Sequence, residues 1–328
     1  MDITRNVSAG QRELVTAGNQ PPVGKLWKAI AAVMFGLLLS VPGLAQAQYS
    51  YTTIDVPGSL GTSLNGNSTH EIVGDFTDEN GVMHGFVRSQ KGDFTTIDFP
   101  PAPPGEPRVT GTSLNGINAS GRIMGTYFVD SETSPNHAFV LEKGHFTTLY
   151  PPFATRSQGG FINAQGQAVG AYRDGNANDK RRGFIWRKGV FTSFNHPLDG
   201  PDPSGTVPFG INDIGEVVGT YVGVNDTGMQ GMHGFVRSPK GVFTSIDVPE
   251  ASFTVAEGIN NAGTIVGVYG DDKGLHGFVR SPKGVFTTID LGAKEDTEIN
   301  SINAKGEIVG FYIGDDGKQH GFVGTPDR

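Results

Sequence analysis

From Tyr49 onward, short runs of β-branched and aromatic residues alternate with clusters of Gly, Asn, Asp and Pro. The alternation itself recurs about every 47 residues. The core of each copy reads G-I-N-x-x-G-x-I-V-G-x-Y, then a polar turn, then H-G-F-V-R-S-x-K-G-V-F-T-T-I-D. This pattern predicts four short strands per copy. The first ends in G-I-N, as at Gly258-Ile259-Asn260, and the second is I-V-G-x-Y, as at Ile265-Val266-Gly267-Val268-Tyr269. The third is H-G-F-V (His276-Gly277-Phe278-Val279) and the fourth F-T-T-I-D (Phe286-Thr287-Thr288-Ile289-Asp290). Asn-Gly, Asp-Gly and Pro-Lys-Gly between them are hairpin chemistry. No stretch beyond the N-terminal segment carries a helical period.

A unit this small cannot bury its own apolar faces, so consecutive copies must pack together. The ends of the pattern are complementary. Tyr51-Thr52-Thr53-Ile54-Asp55 is a fourth strand with nothing before it, and His320-Gly321-Phe322-Val323 is a third strand with nothing after it. The expectation is an all-β fold over residues 48–328, a six-bladed β-propeller with four antiparallel strands per blade. Strand 51–56 joins the last blade and closes the ring, which removes exposed sheet edges. The histidine opening each third strand should face the residue closing the fourth, giving His84/Asp98, His233/Asp247, His276/Asp290 and, across the closure, His320/Asp55. Two copies depart, with His137/Tyr150 and Arg182/Asn195.

Copies built on His137-Ala138-Phe139 or H-G-F together with G-I-N-x-x-G-x-I-V-G resemble the HAF family of extracellular repeats, over the whole region after the leader. The resemblance implies export and a propeller-like array. It implies no activity and no catalytic residues.

The first 47 residues form a separate object. Lys25 and Lys28 precede an apolar run from Ala29 to Val41, and Ala45-Gln46-Ala47 has the small-x-small pattern of a cleavage site. About 13 apolar residues fall short of a bilayer span. We expect a signal peptide over 1–47, cleaved, with the mature chain secreted or periplasmic and without a membrane span. Cleavage takes the net charge from −8 to −10, which argues against nucleic acid. The absence of cysteine excludes disulfides, thiolate metal sites and a cysteine nucleophile.

The Asn-to-Gly spacing across the first turn is constant, from Asn67–Gly74 and Asn118–Gly125 to Asn260–Gly267 and Asn303–Gly310. The connections between second and third strands, and those between blades, vary in length, and all of them belong to one face. Loops carry recognition on a rigid scaffold, so that face is the expected binding face. Two of its loops are long, Pro100–Thr110 and His196–Pro208. Asn65, Asn115, Glu257 and Asn300 precede the G-I-N position or its equivalent and should ring the axis near the same face. The third copy is the most irregular. It offers Arg182 and Trp186, with Arg156, Arg173, Lys180 and Arg181 nearby, as an anion or acidic-glycan contact.

The histidines sit on different blades and cannot converge on a metal. The acidic turns Asp78-Glu79-Asn80-Gly81, Asp271-Asp272-Lys273-Gly274 and Asp315-Asp316-Gly317 are tight-turn chemistry that would at most hold Ca²⁺ weakly. No G-x-S-x-G elbow is present. The sequence therefore points to a monomeric, non-catalytic binding module without a cofactor. Its partner would be an extracellular polysaccharide or a surface protein. The alternatives are a lyase or hydrolase with its site at the axis mouth, or a purely structural envelope protein.

Overall fold

The computed structural model describes residues 49–132, 135–175, 179–292 and 296–327, and the expected leader lies outside them. Among the described residues every regular element is a β-strand, and no helix is long and apolar enough to cross a membrane. The chain opens with β1 (Tyr49–Ile54). A first four-stranded unit follows: β2 (Gly61–Asn67), β3 (Glu71–Thr77), β4 (Met83–Ser89) and β5 (Phe94–Ile97). The second holds β6 (Val109–Ile117), β7 (Ile123–Val129), β8 (Asn136–Glu142) and β9 (His145–Leu149). The third holds β10 (Arg156–Ile162), β11 (Gln167–Arg173), β12 (Arg182–Arg187) and β13 (Val190–Phe194). The fourth runs through β14 (Thr206–Ile211), β15 (Val217–Val224), β16 (Gln230–Arg237) and β17 (Phe243–Ile246). The fifth runs through β18 (Phe253–Ile259), β19 (Ile265–Gly270), β20 (Leu275–Arg280) and β21 (Phe286–Ile289). The last has only three strands of its own: β22 (Thr297–Ile302), β23 (Ile308–Ile313) and β24 (Gln319–Pro326).

Its fourth strand is β1. Tyr51 lies opposite Gly324 and Ile54 opposite Gly321 in an antiparallel ladder, and Ser50 Oγ donates to Asp327 Oδ1 at 2.7 Å. The hydrogen-bonded sheets number five, because the first two units are joined into one path by a single parallel bridge, Met83 to Gly111. The cause is β6, which begins early enough to run alongside β4 and is longer than the other inner strands.

Alternation along each strand sends side chains to both faces of its sheet, and neighbouring units cover both. Six apolar clusters result. Met124, Ala138, Val140 and Leu149 of the second unit meet Ile162, Ala168, Tyr172 and Phe184 of the third. Four more clusters join other consecutive units. The sixth joins the ends of the array, Leu64 and Phe86 of the first unit against Val309 of the last.

The asparagine of G-I-N stitches these units together. Asn118 Nδ2 donates to the Asn163 carbonyl (2.9 Å), Asn163 to Asn212 (3.0 Å), Asn212 to Asn260 (3.2 Å), Asn260 to Asn303 (3.3 Å) and Asn303 to Ser68 (3.1 Å). Each side-chain oxygen meanwhile caps its own turn, as Asn260 Oδ1 does for the amides of Ala262 and Thr264. One side chain serving both purposes explains the constant spacing. Asn67, however, does not belong to the series. It stands in register with Ile117, since Gly66 faces Val73 as Gly116 faces Met124. Ser68 takes the capping place, its Oγ accepting from the His70 and Glu71 amides across a turn one residue shorter. Asn67 instead donates to the Glu307 carbonyl of the last unit.

The four expected histidine–aspartate bonds are present, with Nδ1 2.8–2.9 Å from Asp98, Asp247, Asp290 and Asp55. The opposite nitrogen reaches back to the turn between the second and third strands: His276 Nε2 lies 3.0 Å from Asp271 and His320 Nε2 lies 3.1 Å from Asp316. Each such histidine pins a fourth strand and a turn at once. His137 instead stacks on Tyr150 (5.1 Å between centroids), and Arg182 turns to Asp174 (3.3 Å).

Removing one link of the asparagine chain strands two turn amides and a neighbouring carbonyl. Asn260→Ala should cost about 2–3 kcal/mol in chemical denaturation. Asn261→Ala, which loses only exposed bonds to Asp213, should cost under about 1 kcal/mol. Equal costs would show that the chain of asparagines is incidental.

Candidate functional site

Every inner strand carries a β-bulge just before its end. The ladders slip between Leu64 and Gly66, Leu114 and Gly116, Gly159 and Ile162, Pro208 and Gly210, Ala256 and Gly258, and Ile299 and Ser301. A bulged residue is left out of the ladder and its side chain is re-aimed. The residues left out are Asn65, Asn115, Gly160 with Phe161, Phe209, Glu257 and Asn300. All of them line one pocket of about 150 Å³, together with Gln158, Gly159 and Glu298. The glycine after the bulge lets the inner strands approach. A Cβ on Gly66 would stand 2.8 Å from the Gly116 Cα of the next unit, and one on Gly210 would stand 2.7 Å from the Glu257 carbonyl.

Two of the three asparagines of this pocket are tied to backbone. Asn65 Nδ2 donates to the Leu114 carbonyl (3.1 Å) and to Asp75 Oδ2 (2.6 Å), and Asn300 Nδ2 donates to the Leu64 carbonyl (3.0 Å). The carboxylates differ. Burial pushes Glu257 well above the usual carboxylate range, and the neighbouring charge of Glu298 adds to it. Burial raises Glu298 as well. Two largely desolvated acids in one small polar pocket are a recurrent feature of functional sites. Among the described residues, no three His, Asp or Glu side chains converge as metal ligands.

Asn115 and Gln158 also border a second, larger cavity of about 380 Å³. Its walls come from three successive units: Asp75 and Met83 from the first, Ser113, Thr126, Phe128 and Asn136 from the second, and Arg156, Tyr172, Arg173 and Arg181 from the third. Phe128 and Arg173 lie at the ends of second strands, one residue from the end and at the end respectively, while Asn136 and Arg156 begin a third and a first strand. The cavity therefore lies at the end of the sheets that carries the loops of variable length. Its floor is Asp75, which accepts from Ser113 Oγ (2.6 Å) and Asn65 Nδ2. Burial raises the Asp75 value, and these two bonds partly offset it. On the wall, Asp179 holds Arg156 (2.8 Å) through its carboxylate and Arg173 through its carbonyl oxygen.

Of the residues singled out in the sequence, Asn65, Asn115, Glu257 and Asn300 share the axial pocket, and Asn115 reaches both cavities. Arg182 and Trp186 line neither. Trp186 lies two residues from Phe184, on the same face of β12, and packs on the core shared with the second unit. Arg182 is spent on Asp174, and Lys180 on Asp199 (2.9 Å). Gln158 and Glu298 escaped the sequence reading. Each is still paired in its ladder, opposite Ala171 and Phe311, just upstream of a bulge, and lines the pocket from there.

No family model and no curated protein matches the chain, so the HAF resemblance remains one of repeat pattern. Solved structures do match. A protein of unknown function from Dyadobacter fermentans aligns at TM-score 0.53 with 10% identity, over 86% of this chain and 99% of its own. A luciferin-regenerating enzyme aligns at 0.50 with 10% identity, over 85% and 95%. The β-propeller domain of the Trilobed protease from Pyrococcus furiosus aligns at 0.48 with 10% identity, over 80% and 94%. At such identity the first two likenesses are ones of fold. Successive antiparallel four-stranded sheets packed face to face, with their first strands adjacent, make this chain an all-β protein of the propeller class.

Because the folded-state value of Glu257 lies above the unfolded one, the folded state takes up the proton more readily. The stability linked to that proton is fully present below about pH 4.5 and is lost as pH rises through the raised value. Glu257→Gln, which mimics the protonated form, should raise the thermal midpoint at pH 7.5 and leave it unchanged near pH 4. A midpoint lowered at both pH values would remove the idea of a desolvated acid at the axis.

Proposed function

We propose that this chain is an exported, non-catalytic binding module: a six-bladed propeller, closed by its N-terminal strand, that takes an extracellular polysaccharide at the face of variable loops. Closure and blade count are supported by the β1–β24 ladder, by the apolar contact of Leu64 and Phe86 with Val309, and by the hydrogen bonds from Asn300 and Asn303 back to Leu64 and Ser68. Export is supported by the leader pattern in residues 1–47. The binding role rests above all on the 380 Å³ cavity. It is of ligand size, it opens on the loop-bearing face, and it is lined by amides, hydroxyls and guanidinium groups fixed on strand ends. Such a lining suits a polyhydroxylated ligand, and the rigidity of the strands limits the ordering cost of binding.

The test is affinity electrophoresis of the mature chain through gels containing different polysaccharides, with product analysis of each polymer afterwards. At least one polymer should retard the protein, Gln158→Ala should reduce the retardation several-fold, and polymer length should not change. Absence of retardation in every gel would overturn the reading, and retention of a surface protein instead would replace the partner. Glu257 and Glu298 favour a second reading, an enzyme acting at the axis mouth. Shortened polymer, abolished by Glu257→Gln and by Glu298→Gln, would establish it. The axial pocket holds no His or Arg among its lining residues, which favours the binding role.

A further inference from the structure

Most arginine and lysine side chains of a protein carrying a net charge of −8 would be expected to meet carboxylates. Arg156 and Arg173 do so by sharing one residue, Asp179. Arg181 lies beside them on the same cavity wall, half-buried. Its guanidinium has no carboxylate partner among the described residues. Three guanidinium groups thus border one cavity with Asp179 as the one carboxylate ion-paired to them among the described residues; exposed Asp202 acts on Arg173 only at a distance, and Asp75 is buried beneath its bonds to Ser113 and Asn65. Burial and the charges of Arg173 and Arg156 lower the Arg181 value, which is the mark of a cation held where it is unfavourable.

The arrangement is built rather than casual. The long loop between the third and fourth units fixes the Arg181 backbone: its amide donates to the Pro203 carbonyl (3.1 Å), and its carbonyl accepts from the Thr206 amide (3.3 Å). Gly205, with φ of 60°, permits this contact. A Cβ there would stand 2.2 Å from the Arg181 carbonyl oxygen. The loop is itself anchored by Lys180 on Asp199 and by His196 stacked on Tyr221 at 3.6 Å. A loop that looks like a mere connection between units is what presents Arg181 to the cavity.

The same cavity is lined by Ser113, Asn115, Thr126 and Gln158, with Met83 and Phe128 as apolar surface. Its lining therefore combines groups that suit an anion with groups that suit hydroxyls and the faces of a ring. Resting on the binding role proposed above, we infer that the ligand is an acidic saccharide, a uronate whose carboxylate is taken by Arg181 with Arg156 and Arg173 beside it. A planar fork matches a carboxylate by two parallel bonds. A free phosphate would leave the hydroxyl-matching groups unused.

The test compares polygalacturonate and alginate with neutral galactan and dextran, and with dextran sulfate, by calorimetry at low and physiological salt. A uronate polymer should bind at least tenfold more tightly than its neutral counterpart. Arg181→Gln should lose at least tenfold of that affinity with an unchanged thermal midpoint, and Arg181→Lys should recover part of it. Arg122→Gln, remote from the cavity, should bind as the parent does. Should Arg181→Gln fold poorly, Arg181→Lys alone must still weaken uronate binding, because it keeps the charge and loses the fork. Neutral polymers binding as tightly as uronates would overturn this inference and leave the binding module standing. Binding to dextran sulfate as strong as to uronates, unaffected by Arg181→Gln, would reduce it to general charge attraction and overturn it too. No binding to any polymer would overturn both.

Discussion

The ladder between Tyr49–Ile54 and Gln319–Pro326 joins the two ends of the repeat array, and the rest of the structure leans on it. The last unit has three strands of its own. Without the N-terminal strand, β24 would present an open edge, and unpaired edges invite association with other chains. Bringing residues some 270 positions apart into register has an entropic cost that grows only slowly with loop length. Two sets of contacts offset it: the apolar cluster between first and last units, and the hydrogen bonds that Asn300 and Asn303 send to the first. The strand ladder and the asparagine hydrogen bonds therefore act together in joining the first and last units.

The same device explains where chemistry can sit. At the turn end of the inner strands, the asparagine of five copies is committed to its own turn and its neighbour's carbonyl, leaving little freedom for variation. Just before that end, the bulge frees one side chain in most of these strands from the ladder and aims it into the pocket between the units. Architecture does not dictate that side chain, and it differs among copies: Asn65, Asn115, Phe209, Glu257, Asn300. Glu257 and Glu298 keep carboxylates where burial disfavours their charge, a cost that asparagine at the same place avoids. Next to them, three units together shape a cavity that no single repeat could form.

Much of this was legible in the residues because the chain repeats itself. Six copies show which positions recur, and the histidine–aspartate bonds could be read from two positions changing together, as at Arg182 and Asn195. Strand order and the β1 pairing followed from incomplete ends. What escaped reading was register at the scale of one residue. A turn one residue shorter makes Asn67 equivalent to Ile117 although its distance to Gly74 mimics the asparagine spacing, and Gln158 and Glu298, paired in the ladder just before the bulge, share the pocket with the bulged side chains. In the third copy, the sequence marked the right neighbourhood and the wrong members. Arg182 and Trp186 differ most from the repeat, yet strand alternation packs the half-buried Trp186 against the core and a local aspartate takes Arg182. The side chains that reach the cavity are Arg156, Arg173 and Arg181, and which of several adjacent cations is left unpaired depends on the folding of a distant loop.

The most direct test of this account uses the absence of cysteine from the native chain. Ser50 and Thr325 are exposed and directly opposed across the β1–β24 ladder, at the separation a disulfide accepts. In the double variant Ser50→Cys/Thr325→Cys, mild oxidation should give one intramolecular disulfide, a monomer by light scattering, and a thermal midpoint above that of the reduced form. Free thiols, or disulfide-linked multimers in place of the closed monomer, would contradict the pairing of the chain's two ends and the binding face built upon it.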